Sequence, residues 1–579
     1  MGCYQYTVCA WVDHFGTWRE ELKRREDPKD IAAAALAGAQ LLEESSRRAE
    51  KHDRERLLAW KKRLTQAANP EEIRNAALDP DLSGLMAHYP DRRHASCPDA
   101  PLRVLVDPEI ARFSAWYELF PRSCTSHPGR HGTFKDCEAQ LQRIADMGFN
   151  VVYFPPIHPI GRAIRKGRNN SLTPRPGDPG SPWAIGSDEG GHKAIHPDLG
   201  SLEDFRNLVG KARDLGLHIA LDIAFQCSPD HPYVKEHPQW FRWHPDGTIQ
   251  YAENPPKKYQ DIYPFHFESE QWTELWEELK SVFLFWIGQG IHIFRVDNPH
   301  TKPFPFWEWV IGEIKREHPG AIFLSEAFTR PKLMHRLAKL GFSQSYTYFA
   351  WRNTKEELYQ YLHELTKRDG REYFRPNLWP NTPDILNEFL QIGGRPAFQS
   401  RLVLAATACA NYGIYGPPYE TIEHRPLQQG SEEYLDSEKY QIRVWDYHCP
   451  GNLTDFISRV NWIRKENPAL HRDWNLHFHS VDNPEMICYS KNTEDLKNVI
   501  LVVVNLDPFH TQSGWLHLDC RVLGLDATGS YQAHDLLSDS RYLWHGSRNF
   551  VELNPGVCPA HIFLIRRRIH TEKDFEYYL

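Results

Sequence analysis

From Ala111 onward the chain alternates two textures. Short apolar runs of strand length are each followed by a stretch whose apolar positions recur at helical spacing. The runs are FSAWYELF (113–120), VVYFP (151–155), HIALDIA (218–224), IHIFRVDN (291–298), AIFLSEAF (321–328), FSQSYTYF (342–349), YFRPNLWP (373–380) and NYGIYGPP (411–418). Stretches such as TFKDCEAQLQRIADMG and SLEDFRNLVGKARDLG lie between them. Eight strands alternating with eight helices predict an α/β protein built on a (β/α)8 TIM barrel, because buried parallel strands read as continuous apolar runs. An open doubly wound sheet is the alternative. The count of eight, and the lack of a Gly-rich turn after the first strand, disfavour it.

The flanks read differently. Residues 1–14 predict a short strand, YQYTVCAWV, and Asp27 to about Leu85 predict helices rich in Ala and Leu. After Pro468 the segments MICYSKN, NVILVVVNLD, GWLHLD and FVEL alternate at strand spacing, which predicts an antiparallel β-domain. The expected domains are a strand plus helical segment (1–107), the barrel (108–470) and a C-terminal β-sandwich (471–579). Two connections, 156–200 and 225–269, far exceed the usual loop length. Both follow the C-terminal ends of barrel strands, where such folds build their sites, and the first is expected to be an ordered subdomain.

Composition narrows the class. With 579 residues, 41% hydrophobic and 25% charged, the chain is neither disordered nor a disulfide-stapled miniprotein. A net charge of −8 argues against a nucleic-acid partner. The 19 Trp and 25 Tyr suit sugar stacking or a well-packed core equally well. Eleven Cys without a CxxC pair speak against zinc ribbons and point to reduced thiols in the cytoplasm. No apolar run reaches about 18 residues, so no membrane span is expected. The start MGCYQYTVCAWVDHF lacks the form of a secretory signal, and Tyr6 stands where myristoylation wants Ser or Thr.

The chemistry concentrates at strand ends. The fourth strand ends Arg295-Val296-Asp297-Asn298 and the fifth Ser325-Glu326, the seventh runs into Pro383-Asp384, and the third carries Asp222. In a closed barrel these converge on one pocket. Arg295, two residues before Asp297, shares its strand face and is placed to hold that carboxylate ionised. Retaining glycosyl transfer needs one carboxylate as nucleophile and another as acid/base. Asp297 suits the first role, Glu326 the second, and Asp384 the stabilisation of a cationic sugar. Taken singly, Asp222 and Arg295 read as well as a structural ion pair, and Asp384 as a helix cap near Ile385.

The stretches LDIAFQCSPDHP, FRVDNPH, LSEAF and NTPD resemble the α-amylase superfamily of glycoside hydrolases and transglycosidases. Gln226-Cys227 stands where amylases usually carry Asn-His, and Pro383-Asp384 where they carry His-Asp. These departures, with WAIGSDEGGHKAIHPDLGS and QCSPDHPYV, resemble the α-1,4-glucan:maltose-1-phosphate maltosyltransferases from about Ala10 to the C-terminus. The resemblance implies a cytoplasmic, homodimeric bacterial enzyme that moves maltosyl units from α-maltose 1-phosphate to an α-1,4-glucan, with no metal or organic cofactor. It makes Asp297 the nucleophile, Glu326 the proton donor and Asp384 the transition-state stabiliser. It places Lys166, Gln226, Asp261, Asn298, Lys439 and Tyr440 at the donor. It also implies that the opening strand is a remnant of a longer N-terminal β-domain, and that the helices after it are an inserted domain.

The residues themselves support an anionic donor, since a phosphate leaving group needs cationic partners. Lys166 lies in the loop after the second strand, Lys257 and Tyr259 in the loop after the third, and Lys439-Tyr440 after the eighth. Each lysine also reads as an ordinary surface charge. An amylase-type glucan hydrolase and a non-catalytic glucan-binding protein are the two alternative functions.

Overall fold

A computed structural model describes residues 1–254 and 257–567. The chain divides into two compact units, one of Cys3–Val106 and one of Met1–Gly2 together with Asp107–Leu579.

The smaller unit pairs β1 (Gly2–Tyr6) with β2 (Leu102–Val106) and holds five helices between them: α1 (His14–Arg24), α2 (Pro28–Arg48), α3 (Lys51–Thr65), α4 (Pro70–Leu78) and α5 (Pro80–His88). Asp27, Asn69 and Asp79 cap three of these helices, each followed by proline at the first turn. Leu22, Leu42, Leu57 and Leu82 are fully buried in their common core. The opening strand stops at Tyr6 rather than running through Val12, and α1 and β2 add to the expected elements. One expectation is corrected here. Cys9 and Cys97 form a disulfide, whereas the other nine cysteines are free thiols. The pair joins positions 88 residues apart, which sequence spacing alone does not match up.

The larger unit contains the predicted barrel. Its strands are β3 (Ser114–Glu118), β4 (Val151–Phe154) and β5 (His218–Ile223). The connection after β5 carries β6 (Gln226–Cys227), β7 (Ala252–Asn254), β8 (Lys257–Tyr259) and β9 (Tyr263–Pro264), paired as β6 with β9 and β7 with β8. The barrel resumes with β10 (Ile293–Asp297), β11 (Ile322–Glu326), β12 (Gln344–Tyr346), β13 (Pro376–Leu378) and β14 (Asn411–Tyr415), and closes where β14 pairs with β3. All its ladders are parallel. Thr133 and Ser201 close capping boxes at the crossover helices Phe134–Asp146 and Leu202–Asp214.

Side chains of Trp116, Val151, Tyr153, Ile293, Ile322 and Leu324 fill the barrel interior. Alternation along a strand then fixes the site. Arg295 and Asp297 share the inward face of Ile293, and Glu326 shares that of Leu324. The loop after β4 is buried over most of 178–187 and exposed over 171–177.

The C-terminal strands are β15 (Leu476–Val481), β16 (Met486–Asn492), β17 (Val499–Asn505), β18 (Gln512–His517), β19 (Ser530–Asp535), β20 (Arg541–His545), β21 (Arg548–Leu553) and β22 (Ala560–Arg566). They form one antiparallel sheet in the order β20-β19-β22-β17-β16-β15-β18-β21. Leu476–His479 pair with β16 and Ser480–Val481 with β18, so β15 carries the ladder from one part to the other. No helix among the described residues is long and apolar enough to cross a membrane.

Candidate active site

Asp297 and Glu326 are cross-strand partners at the ends of β10 and β11. One guanidinium reaches both. Arg295 Nη1 lies 2.9 Å from Asp297 Oδ1, and Nη2 lies 3.4 Å from Glu326 Oε1. The same Nη1 is 2.9 Å from Asp222 Oδ2. Arg295 therefore serves both readings of its sequence position, as a structural ion pair with Asp222 and as the holder of Asp297. Tyr153 and Tyr346 flank it, each ring centroid 5.8 Å away.

Asp222 is buried and its Oδ2 accepts two further hydrogen bonds, from Tyr153 Oη at 2.5 Å and Trp183 Nε1 at 3.2 Å. Burial pushes its carboxyl up to about 7, against the opposing pull of Arg295. Burial likewise pushes Glu326 up to about 7. Arg295 opposes this and the charge of Asp297 adds to it. Glu326 is thus a carboxyl able to hold a proton near neutrality, beside a partner held by a cation, which is the pairing an acid and a nucleophile require.

Asn298 adopts the left-handed backbone conformation, with φ 42° and ψ 52°. Its N–H donates to Glu326 Oε2 at 3.1 Å, and its Nδ2 lies 3.4 Å from Asp297 Oδ2. Asp384 lies in the loop after β13. It does not cap the next helix, where Asn387 is the N-cap. Asp384 Oδ1 instead pairs with the Lys439 ammonium. Burial lowers the Lys439 pKa, and the adjacent Asp384 more than reverses this, holding the amine charged.

Trp183, from the loop after β4, draws several predicted residues together. Besides Asp222, its backbone oxygen accepts from Gln226 Nε2 at 3.3 Å, and the Lys439 ammonium lies 5.6 Å from its ring centre. That ammonium also lies 5.7 Å from the Tyr440 ring, whose hydroxyl burial pushes up to about 12. Lys166 is buried at 2% exposure, and its Nζ donates to Gln260 Oε1 at 2.8 Å. Burial pushes its pKa down, and Asp261 opposes that. Asp261 is itself pushed up by burial, against the charges of Lys166 and Lys439. Tyr259 lies on the β7–β8 hairpin, packed on the core. The side chain of Lys257 lies outside what the structure describes.

Two His-containing clusters invite a metal reading. His192, Cys227 and His231 bring ligand atoms within 4.8 Å of one another, as do His131, His196 and Asp198. The two histidines of the first are accounted for by hydrogen bonds. Tyr233 N–H donates to His231 Nδ1, His231 Nε2 meets His192 Nδ1 at 3.1 Å, and His192 Nε2 meets Ala224 O at 3.0 Å. An ion on His231 Nε2 would place a proton on Nδ1, facing the Tyr233 N–H. Gly186, at φ 106°, packs on the same imidazole, where a Cβ would stand 2.2 Å from the ring. The cluster ties the loop after β4 to that after β5.

Three comparisons bear on this geometry. Family models match residues 1–108 as "Alpha-1,4-glucan:maltose-1-phosphate maltosyltransferase, domain N/S", 118–302 as "Alpha amylase, catalytic domain" and 478–565 as "GLGE, C-terminal". An α-1,4-glucan:maltose-1-phosphate maltosyltransferase of Methylacidiphilum infernorum is 55% identical over 568 residues, covering 97% of this chain and 84% of the relative. The chain belongs to that family. The member from Chlorobaculum tepidum is 52% identical, over 97% of this chain and 85% of its own. A solved maltogenic α-amylase from Thermotoga neapolitana shares the fold at TM-score 0.60 and 19% identity, covering 80% of this chain and all of its own.

Four side chains at this candidate site escaped the sequence reading. Tyr153 and Trp183 both bond Asp222. Glu118, at the end of β3, is buried, and burial raises its pKa well above the usual carboxylate range. Lys302, in the turn after β10, is buried beneath Asp297 and Asn298. An acidic residue ending an apolar run was the signal that exposed Asp297, and it applies equally to Glu118 in FSAWYELF.

Proposed function

We propose that this chain transfers maltosyl units from α-maltose 1-phosphate to the non-reducing end of α-1,4-glucans, with retention and release of phosphate. The observation that carries this reading is the single Arg295 guanidinium shared by Asp297 and Glu326 on neighbouring strands. An Asp297 oxygen attacks the anomeric carbon. The bond from that carbon to the phosphate oxygen breaks, and its electron pair leaves with phosphate, assisted by the Glu326 proton. A β-maltosyl ester forms on Asp297. The acceptor 4-hydroxyl then attacks the same carbon and gives its proton to Glu326. The ester bond breaks, restoring the Asp297 carboxylate and the α-linkage.

Asp384 stabilises the cationic sugar of both transition states. Lys166, Gln226, Asp261, Asn298, Lys439 and Tyr440 hold the donor, with Lys257 and Tyr259 at its margin. The ammonium groups of Lys166 and Lys439, whose charges both act on Asp261, suit a phosphate better than a neutral glucan terminus. By family resemblance the enzyme is cytoplasmic and homodimeric. Its domains are 1–107, the catalytic 108–470 and 471–579.

The test is incubation with α-maltose 1-phosphate and a maltooligosaccharide. Phosphate release with product growth in steps of two sugars supports the reading. Reducing sugar released from starch without the donor supports a hydrolase instead.

A further inference from the structure

Lys302 is a buried amine whose partners are main-chain oxygens. Its residue is 8% exposed, and among the described residues no ion pair holds it. Its Nζ donates to the carbonyl oxygens of Asp297 and Asn298, each at 3.2 Å. An ammonium is costly to bury, and an apolar chain of the same length would fill the space without that cost. Burial accordingly pushes its pKa down, with Asp297, Glu326 and Asp222 opposing.

The two oxygens belong to an unusual turn. Asn298 is left-handed, a conformation that only Gly and a few residues such as Asn adopt readily, and Pro299 follows it. That conformation aims the Asn298 N–H at Glu326 Oε2, 3.1 Å away, and its Nδ2 toward Asp297 Oδ2. Further side chains hold the turn, one of them on the same Asn298 oxygen. Thr301 Oγ1 donates to Asn298 O at 2.8 Å, and Trp307 Nε1 to Pro299 O at 2.9 Å.

We propose that Lys302 is a positioning residue for the reaction: its ammonium clamps the main-chain oxygens of Asp297 and Asn298, holds the left-handed turn, and so sets nucleophile and proton donor against one another. The inference rests on the function proposed above. Lys302 touches neither sugar nor phosphate. It acts through the backbone on the two carboxylates that do.

The experiment is steady-state and single-turnover phosphate release from α-maltose 1-phosphate, with a maltooligosaccharide acceptor, by the native chain and its variants. In Lys302→Met, kcat falls about 100-fold while the donor KM changes by less than about threefold, the pattern of misplaced reacting groups. In Lys302→Gln, whose shorter amide reaches less far, kcat falls about tenfold. Asn298→Gly supplies the turn without help, so adding Lys302→Met to it costs less than about tenfold more. A folded Lys302→Met or, should that variant not fold, Lys302→Gln with kcat within about twofold of native overturns the inference. So does a loss that falls on KM instead of kcat. A native chain that releases no phosphate overturns the proposed function itself, an outcome distinct from either.

Discussion

Asp297 and Glu326 stand side by side in the β10–β11 register, and both are bound by Arg295. Parallel neighbours lie about 4.8 Å apart along the ladder. Two carboxyls so placed on one inward face are near enough to act on one bond in the reaction proposed above. Asp297→Asn should therefore lose about 10⁴-fold or more in kcat and form no covalent sugar adduct on intact-mass analysis. Turnover at near-native rate would remove Asp297 from the mechanism.

The position of Glu326 predicts a pH limb. Its pKa is raised to about 7, so the neutral form that assists phosphate departure is present below pH 7 and lost above it. The kcat/KM for the donor should decline above about 7. Glu326→Gln should cut kcat by about 10²- to 10⁴-fold and abolish that limb. A limb that survives in the variant would belong to another group.

Lys166 and Lys439 should read out on donor affinity. A charge-assisted hydrogen bond contributes about 1.5–3 kcal/mol. Lys166→Met should raise the donor KM about 10- to 100-fold while leaving acceptor KM unchanged. Lys439→Met also releases Asp384 from its ion pair, so kcat should fall along with affinity. Equal effects on donor and acceptor would argue against a phosphate contact.

Asp107 offers a contrast away from the carboxylates. It bridges Lys315 at 2.8 Å and Arg375 at 2.6 Å. Asp107→Ala leaves the buried Lys315 ammonium with Ser343, 2.9 Å away, as its hydrogen-bond partner among the described residues and no carboxylate beside it. The variant should lose about 3–5 kcal/mol in denaturant unfolding and keep its KM values. A changed KM with unchanged stability would place Asp107 in the reaction.

The barrel was legible because its strands are buried on both faces and read as apolar runs, which made Asp297 and Glu326 conspicuous as charges at the ends of such runs. The loops were not. Trp183 and Lys302 reach the site through backbone paths that no periodicity encodes. The three-residue strands β12 and β13 were overextended to eight, since apolar residues continue past the last ladder bond. Four C-terminal strands, among them Ser530–Asp535 and Arg541–His545, mix polar with apolar residues without a clean alternation and passed unnoticed. The Cys9–Cys97 pair depended on a fold that brings the two ends of five helices together.

That pair has a practical corollary. The entry and exit of the helical unit are tied by the disulfide and by the backbone hydrogen bonds between Ala10 and Ser96. In the oxidised chain, a single proteolytic cut anywhere between them severs no covalent connection across the molecule. Such a nicked protein runs as one band on a denaturing gel without thiol and separates into two once dithiothreitol is added.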